Sequence, residues 1–331
     1  MLKPEIVDEA AKVLANATEV TLVCHVNPDA DAIGSMLGLA NHLVARGVKV
    51  EAAAPNKFED LPRWVDVLPG RELLVPPGKL NKSPKVLVTL DAADLARLDG
   101  LTHLVENAET SIVIDHHRTN PGFGTINMID GDASATAELV YKLIQTMGDE
   151  LDADVAACLY AGLVTDTGRF QYESATPEVL RIAADIRERS FDHARLAQAL
   201  YADGSVAYLR LLAIVLGRVQ HVPEANLVWT YATRKDLKDA KVAIQETDDL
   251  IDTIRMARDS DVSAVLKEQA AGGFKVSMRS RGDTNVAEIA EAFGGGGHRL
   301  AAGYSAKGSL EEASGALVEA LVQVNPATAA P

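Results

Sequence analysis

The apolar residues between positions 20 and 180 follow two rhythms that alternate along the chain. Short, partly β-branched runs occupy 21–26, 48–54, 85–90 and 111–114, and stretches with helical spacing lie near 32–46, 136–146 and 154–164. A brief apolar run bounded by polar residues reads as a buried strand, and apolar spacing of three and four reads as the buried stripe of a helix. Their alternation predicts an α/β domain with a mostly parallel sheet and helices on both faces. An amphipathic helix precedes the first strand, with Ile6, Val7, Ala10, Val13 and Leu14 on its apolar side. Residues 177–218 keep helical spacing with no strand-like run. Pro177 suits a first helical turn, and 206–219 suits a further helix.

From about Asn226 the rhythm changes. Residues 227–232 read as a strand, and 263–269 and 274–279 as the arms of a hairpin closed by Ala270-Ala271-Gly272-Gly273. Residues 285–293 and 309–324 read as helices. Between them lie Gly294-Gly295-Gly296-Gly297-His298 and Ala301-Ala302-Gly303, the latter expected as a tight turn. The tail 325–331, small and rich in Pro and Ala, is expected to fray. A chain of 331 residues is long for one core. The expected organisation is an α/β domain over 1–185, a helical connector over 186–222 and a smaller α/β domain over 223–331, without internal repeats.

Composition narrows the function classes. A hydrophobic content of 47% is that of an ordinary soluble protein. The longest apolar runs, such as 211–216, are far too short for a bilayer. Glu5, Asp8 and Glu9 in the first helix, with no basic start, argue against a secretion signal. Cys24 and Cys158 form no spacing motif and read as buried apolar residues in a reducing, cytoplasmic setting. The net charge of −15 argues against a large basic surface, which broad capture of duplex nucleic acid needs. It leaves room for a short anionic substrate held at a local positive site.

The candidate chemistry lies in four acidic clusters: His25-Val26-Asn27-Pro28-Asp29-Ala30-Asp31, then Asp91, then Asp115-His116-His117, then Asp166. Each follows an apolar segment, and ligands of parallel sheets gather beyond the strands' carboxyl ends. A lone Asp there is usually a helix cap or turn residue. Four such clusters, two of them with His, read instead as ligands for two metal ions. Asp29, Asp31, Asp91 and Asp166 bring four negative charges that two divalent cations would offset. Without metal they would repel one another and raise their own pKa values. Imidazole with carboxylate suits Mn²⁺ first, with Mg²⁺, Co²⁺ or Zn²⁺ able to substitute, and the lack of paired cysteines argues against structural zinc. Two such ions form a device for phosphoryl chemistry. His42, His103, His193 and His221 fit no motif and read as surface or structural residues.

The second half offers an anion site. Glycines at a helix junction let backbone N–H groups approach an anion closely, whereas a flexible linker is the plain alternative. His298 adds a donor, and Arg279 could grip a phosphate through two nitrogens with Ser277 and Ser280 beside it. Ser277 and Arg279, two apart, point to the same side of a strand.

The ordered set His25-x-x-x-Asp29-x-Asp31, Asp91, Asp115-His116-His117 and Asp166 resembles the DHH phosphoesterases. Val276-Ser277-Met278-Arg279-Ser280, the glycine run with His298, and Ala301-Ala302-Gly303 resemble the DHH-associated domain. The whole is similar to the NrnA-like subgroup, oligoribonucleases that also remove the 3′-phosphate of phosphoadenosine phosphate. The resemblance implies one metal on His25, Asp29 and Asp91 and another on Asp31, Asp91, His116 and Asp166. It places His117 beside the phosphate as a donor or acid, with Asp115 orienting a histidine. It implies that Ser277, Arg279, Ser280, Gly295, Gly296, Gly297 and His298 hold the substrate's terminal nucleotide. The implied substrates are short single-stranded RNA oligonucleotides, or DNA, and nucleoside bisphosphates; the implied assembly is a homodimer away from membranes. Ala30 departs from the family, which often has Gly there; a negative φ would accommodate its methyl group. The rivals are a RecJ-like exonuclease, a cyclic or linear dinucleotide phosphodiesterase, an inorganic pyrophosphatase and a nucleotide-binding sensor without catalysis.

Overall fold

Burial of these apolar runs divides the chain into two units that meet at Asp203 and Gly204. The computed structural model describes residues 2–324, and the expected fraying of 325–331 lies outside them. The first unit contains α1 (Pro4–Asn16), β1 (Glu19–Cys24), α2 (Ala30–Ala45), β2 (Lys49–Ala53), β3 (Val86–Leu90) and α3 (His103–Asn107). It continues through β4 (Thr110–Asp115), β5 (Ile126–Ile129), α4 (Thr136–Thr146), α5 (Ala153–Asp166), α6 (Pro177–Arg187) and α7 (His193–Tyr201). Its five strands run parallel in the order β2-β1-β3-β4-β5.

The sheet has unequal covers. Leu22, Cys24, Val88, Leu90, Ile112 and Ile114 pack on the long helices α1, α2, α4 and α5, with α6 and α7 joining the same core. On the other side Val23, Ala53 and Leu87 meet Leu80, Leu98, Leu101 and Leu104, which come from short turns and α3. Burial on both faces explains why β3 is apolar at nearly every position. The fifth strand was not expected. It is an edge strand in which only Ile126 and Met128 are buried, so its four residues carry too little apolar signal. The first strand ends at Cys24, two residues before the expected limit, and this releases His25 and Val26 from the ladder.

Helices α2 and α5 touch through glycine. A Cβ on Gly34 would lie 2.5 Å from the Cys158 carbonyl oxygen, and one on Gly162 would lie 2.5 Å from Asp31 Oδ1. The close packing sets the start of α2 beside the end of α5. Both cysteines are free and buried, and Cys158 Sγ donates to Pro69 O at 3.4 Å.

The second unit contains α8 (Val206–Leu216), β6 (Gln220–Val222), β7 (Leu227–Ala232), α9 (Arg234–Ala240), α10 (Leu250–Ile254) and β8 (Val262–Glu268). Then follow β9 (Phe274–Ser280), α11 (Val286–Ala292), β10 (Gly296–His298), β11 (Ala301–Ala306) and α12 (Leu310–Val324). The sheet order is β10-β11-β9-β8-β7-β6, antiparallel except between β7 and β8. One face buries Val276, Met278 and Tyr304 against α11 and α12. On the other, α8, α9 and α10 pack on Val228, Ala232 and Val265, covering the half built by β7 and β8. Residues 186–222, read as a connector, are shared out: α7 belongs to the first unit, α8 and β6 to the second. The expected tight turn at Ala301-Ala302-Gly303 is instead the start of β11, because the chain reverses just before it at Arg299 and Leu300. Among the described residues no single helix is long and apolar enough to cross a membrane.

The α2–α5 contact makes a direct prediction. Gly34→Ala places a methyl group against backbone that cannot swing aside, so unfolding stability falls by about 1–3 kcal/mol. A lower urea midpoint at unchanged slope is the expected result, and an unchanged midpoint would show that the two helices separate freely.

Candidate metal centre

Each acidic residue reaches the site by a definite local device. His25 follows β1 and is buried. Asp29 caps α2, its Oδ1 accepting from the Asp31 and Ala32 amides, while its Oδ2 lies 3.8 Å from His25 Nε2. Ala30 opens α2 and is not among the positive-φ residues, so its methyl group is accommodated without strain. Asp91 follows β3 in a left-handed conformation, φ 57°, and its amide donates to Ile114 O at 3.0 Å. Asp115 ends β4, with His116 and His117 directly after it. Three clusters therefore sit at strand ends as expected, whereas Asp166 is the last residue of helix α5.

These side chains converge. His25 Nε2 is 3.4 Å from Asp91 Oδ2, and His116 Nε2 is 3.5 Å from Asp91 Oδ1, so one carboxylate stands between two histidines. His116 Nε2 is also 3.2 Å from Asp166 Oδ2 and 3.9 Å from Asp31 Oδ2. Donor atoms within 4.8 Å of one another group as His25, Asp29 and Asp91; as Asp31, Asp91 and His116; and as Asp91, Asp115 and His117.

The histidines are oriented from behind. His25 Nδ1 lies 2.9 Å from Val26 O, His116 Nδ1 lies 3.4 Å from Ala133 O, and His117 Nδ1 lies 2.7 Å from Asp115 Oδ1. With a hydrogen on Nδ1, the Nε2 of His25 and of His116 presents a lone pair, which is the arrangement of a metal-binding imidazole. Asp115 is fixed in turn by Asn120 Nδ2, which donates to its Oδ2 at 2.6 Å.

The electrostatics are those of crowded carboxylates with protons for company. Burial, followed by the charges of Asp91 and Asp166, pushes Asp31 well above the usual carboxylate range. Burial also raises Asp166, against the pull of His116. Burial would raise Asp91 as well, but His25, His117 and His116 overcome it and hold this carboxyl low. His25 shows the converse: burial would lower it, yet Asp29 and Asp91 carry it to about 10. Among the described residues the charged partners of Asp29, Asp31, Asp91 and Asp166 are histidines, not Lys or Arg. A set of carboxylate and imidazole donors without thiolate fits hard divalent cations.

Several supports were not legible in the sequence. Helix α4 has no side-chain cap of its own. Asp31 serves instead, Oδ2 accepting from the Thr136 amide at 2.6 Å and Oδ1 from the Ala137 amide at 2.9 Å, with Ser35 Oγ at 3.1 Å. Thr136 Oγ1 donates to Asp91 Oδ1 at 2.9 Å, tying two of the clusters together. A helix beginning at Ala135 and Thr136 without a local cap is the one trace of this in the sequence. The four unassigned histidines lie elsewhere: His42 is buried 3.2 Å from Asp149, His103 faces Gly100 O, His193 bonds Tyr160 and His221 is exposed.

In the second unit the register decides which predicted residues meet. Arg279 and His298 both pair with Ala301, and Ser277 pairs with Gly303. Paired residues share a face, so Ser277, Arg279 and His298 stand together among small neighbours, on the half of the sheet that α8, α9 and α10 leave uncovered. Ser277 and Arg279 are half-buried, and His298 is exposed. Ser280 does not join them. It pairs with Val262 on the opposite face, is buried, and donates to Asp261 Oδ2 at 3.1 Å. The glycine run is no linker, since Gly296 and Gly297 belong to β10. A Cβ on Gly295 would lie 2.2 Å from Gly303 O, and one on Gly297 2.5 Å from Ala301 O, so strand packing alone requires glycine at both; Gly296 has open space.

The chain is similar to known proteins over nearly its whole length. Residues 19–163 match the DHH family, N-terminal domain, and residues 226–324 match the DHHA1 domain. The bifunctional oligoribonuclease and PAP phosphatase NrnA of Thermus thermophilus is 37% identical over 303 residues, 91% of this chain and 89% of that protein. An exopolyphosphatase-related protein from Bacteroides fragilis superposes with a TM-score of 0.91 at 27% identity, covering 99% of this chain and 98% of that one. The Mn²⁺ complex of RecJ from Thermus thermophilus shares the fold, with a TM-score of 0.57 at 20% identity over 98% of this chain and 55% of that one. The chain belongs to the DHH family of phosphoesterases, a DHH domain followed by a DHHA1 domain.

Proposed function

We propose that this protein is a metal-dependent phosphoesterase that hydrolyses short oligoribonucleotides to 5′-mononucleotides and removes the 3′-phosphate of phosphoadenosine phosphate. The observation that carries the reading is the convergence of donor atoms from His25, Asp29, Asp31, Asp91, His116 and Asp166 at one end of a parallel sheet. The 37% identity to a bifunctional oligoribonuclease and PAP phosphatase supports the substrate class. His25, Asp29 and Asp91 would hold one divalent cation, and Asp31, Asp91, His116 and Asp166 a second, with Asp91 serving both. Mn²⁺ suits this mixture of donors best, and Mg²⁺ or Co²⁺ can replace it. When bound, two such cations make a nucleophile of water at neutral pH and spread the charge of the phosphoryl oxygens.

The chain supplies the rest. Burial opposes protonation of His117, but Asp115 and then Asp91 outweigh it and raise the imidazole. An imidazole aimed by Asp115 is suited to deliver a proton to the leaving 3′-oxygen. Thr136 and the first amides of α4 fix Asp91 and Asp31 so that neither turns away when the site is charged. Ser277, Arg279, Gly296 and His298 bind a phosphate or terminal nucleotide of the substrate, with Gly295 and Gly297 shaping the strand beside them and Ser280 holding its end. The reading includes single-stranded RNA or DNA oligomers and nucleoside bisphosphates as ligands, and a cytoplasmic homodimer.

A substrate panel with Mn²⁺ tests the reading: an RNA dinucleotide, a long RNA, phosphoadenosine phosphate and pyrophosphate. Turnover of the dinucleotide and the bisphosphate is expected, and turnover of pyrophosphate alone would overturn the assignment. Asp91→Ala disturbs both groups of ligands, so kcat/KM falls by at least about a thousandfold; a rate near wild type would remove the mechanism. Arg279→Ala acts through binding, raising KM about 10- to 100-fold with a smaller change in kcat. Its effect shrinks on substrates that lack the anchored phosphate.

Metal affinity also has a predicted sign with pH. Without cations His25 keeps its proton up to about pH 10, and Asp31 keeps one well above the usual range. Cation entry must displace these protons, so apparent Mn²⁺ affinity rises with pH, by up to about tenfold per unit for each proton displaced. Calorimetry between about pH 6 and about pH 8, in two buffers of different ionisation enthalpy, reads affinity and proton release together. Affinity independent of pH would contradict the electrostatic account.

A further inference from the structure

We infer that Arg97 binds the phosphate group on which the carboxylate–histidine cluster acts, approaching it from the His25 side. The inference rests on the phosphoesterase reading above and adds to it a residue that no sequence motif singled out. Arg97 lies on the 3-10 segment Leu95–Leu101, which follows Asp91 by only a few residues. Asp94 Oδ1 accepts from the Arg97 amide at 3.0 Å, and Arg97 O accepts from the Val26 amide at 2.9 Å. The segment is thereby stitched to the chain directly after His25. Leu98 and Leu101 are buried beneath it, and Arg97 is exposed.

The segment is also strained. Asp99 adopts φ 45°, ψ −125°, a conformation that side chains rarely accept. Such strain persists only where the surroundings over-determine the backbone, and it gathers at ligand sites. Its consequence here is a fixed path in which the leucines face inward and the Arg97 guanidinium lies against the Nδ1 edge of His25, whose Nε2 faces Asp29 and Asp91.

One nitrogen of the guanidinium lies against His25. Nη2 lies 3.0 Å from His25 Nδ1, and that same nitrogen lies 2.9 Å from Val26 O. When Nδ1 gives its hydrogen to Val26 O, it offers Arg97 no lone pair. Among the described residues no carboxylate forms an ion pair with Arg97. The four clustered aspartates have histidines, not Lys or Arg, as charged partners. Arg97 is thus a cation held beside His25, next to a strongly acidic site whose proposed substrate is an anion. A guanidinium fork matches two oxygens of one phosphate, and few other ligands would use that position so fully.

The test compares wild type, Arg97→Ala, Arg97→Lys and, as a control, Arg181→Ala, an exposed arginine on α6 paired with Glu178. Mn²⁺ binding is measured by calorimetry, 5′-AMP binding to the Mn²⁺-loaded protein likewise, and turnover on an RNA dinucleotide. Arg97→Ala is expected to weaken 5′-AMP about tenfold or more and to lower kcat/KM about a hundredfold. Mn²⁺ affinity should stay within about twofold, because the arginine donates no electron pair to a cation. Arg97→Lys should fall between, keeping charge without the fork. Unchanged 5′-AMP affinity in Arg97→Ala overturns the inference. So does a loss of Mn²⁺ affinity that matches the loss of activity, since Arg97 would then act only by positioning His25. Binding of 5′-AMP is read without turnover, so it decides the role of Arg97 separately from the phosphoesterase reading, which fails only if wild type hydrolyses no phosphoester.

Discussion

Four carboxylates held within reach of the same imidazoles are a standing electrostatic liability, and much of the first unit is arranged to hold them there. Asp31 bears the heaviest cost, being fully buried between Asp91 and Asp166. Its oxygens are met by the first amides of α4, by Ser35 and by the positive end of a helix that has no cap of its own. Burial at that depth favours the protonated carboxyl until a cation enters. Hydrogen bonds from a preformed helix start let it remain aimed, and they make α4 depend on α2 for its own first turn.

The rest of the scaffold follows from that requirement. Strands β1, β3 and β4 end at the same level because their register is parallel and in step, so His25, Asp91 and Asp115 emerge side by side. Asp166 arrives by another route, on the end of α5, and it can do so only because glycines at 34 and 162 let α5 lie against α2. Asp91 takes a left-handed backbone where the chain leaves β3, a local cost of the kind met at ligand sites. The site thus draws on two kinds of element, strand ends and a helix end, brought to one place by close packing.

The second unit solves a different problem with smaller means. The sheet face that we propose receives an anion has small residues at Ala301, Gly303 and Gly296 around Arg279, Ser277 and His298. The glycines at 295 and 297 are already required by the approach of β11. Glycine-rich sequence is therefore an ambiguous signal: the same residues serve a strand contact and an open surface.

Apolar periodicity alone showed the alternation of the main strands and helices before residue 180 and the change of rhythm near Asn226, because burial patterns are local and repeat every two or 3.6 residues; it did not show the short elements α3, β6, α9, α10 and β10. It gave β5 too little to be seen, since an edge strand buries only two of its four residues. It also misplaced a turn at Ala301, where small residues suit a crowded strand as well as a bend. Tertiary structure decided the rest. Thr136 meets Asp31 across 105 positions and Asp91 across 45, and Arg97 meets His25 across 72. Asp261 meets Ser280 across 19 positions. Such contacts are absent from any short window of sequence: they exist only once the sheet has closed and fixed which distant atoms share a neighbourhood.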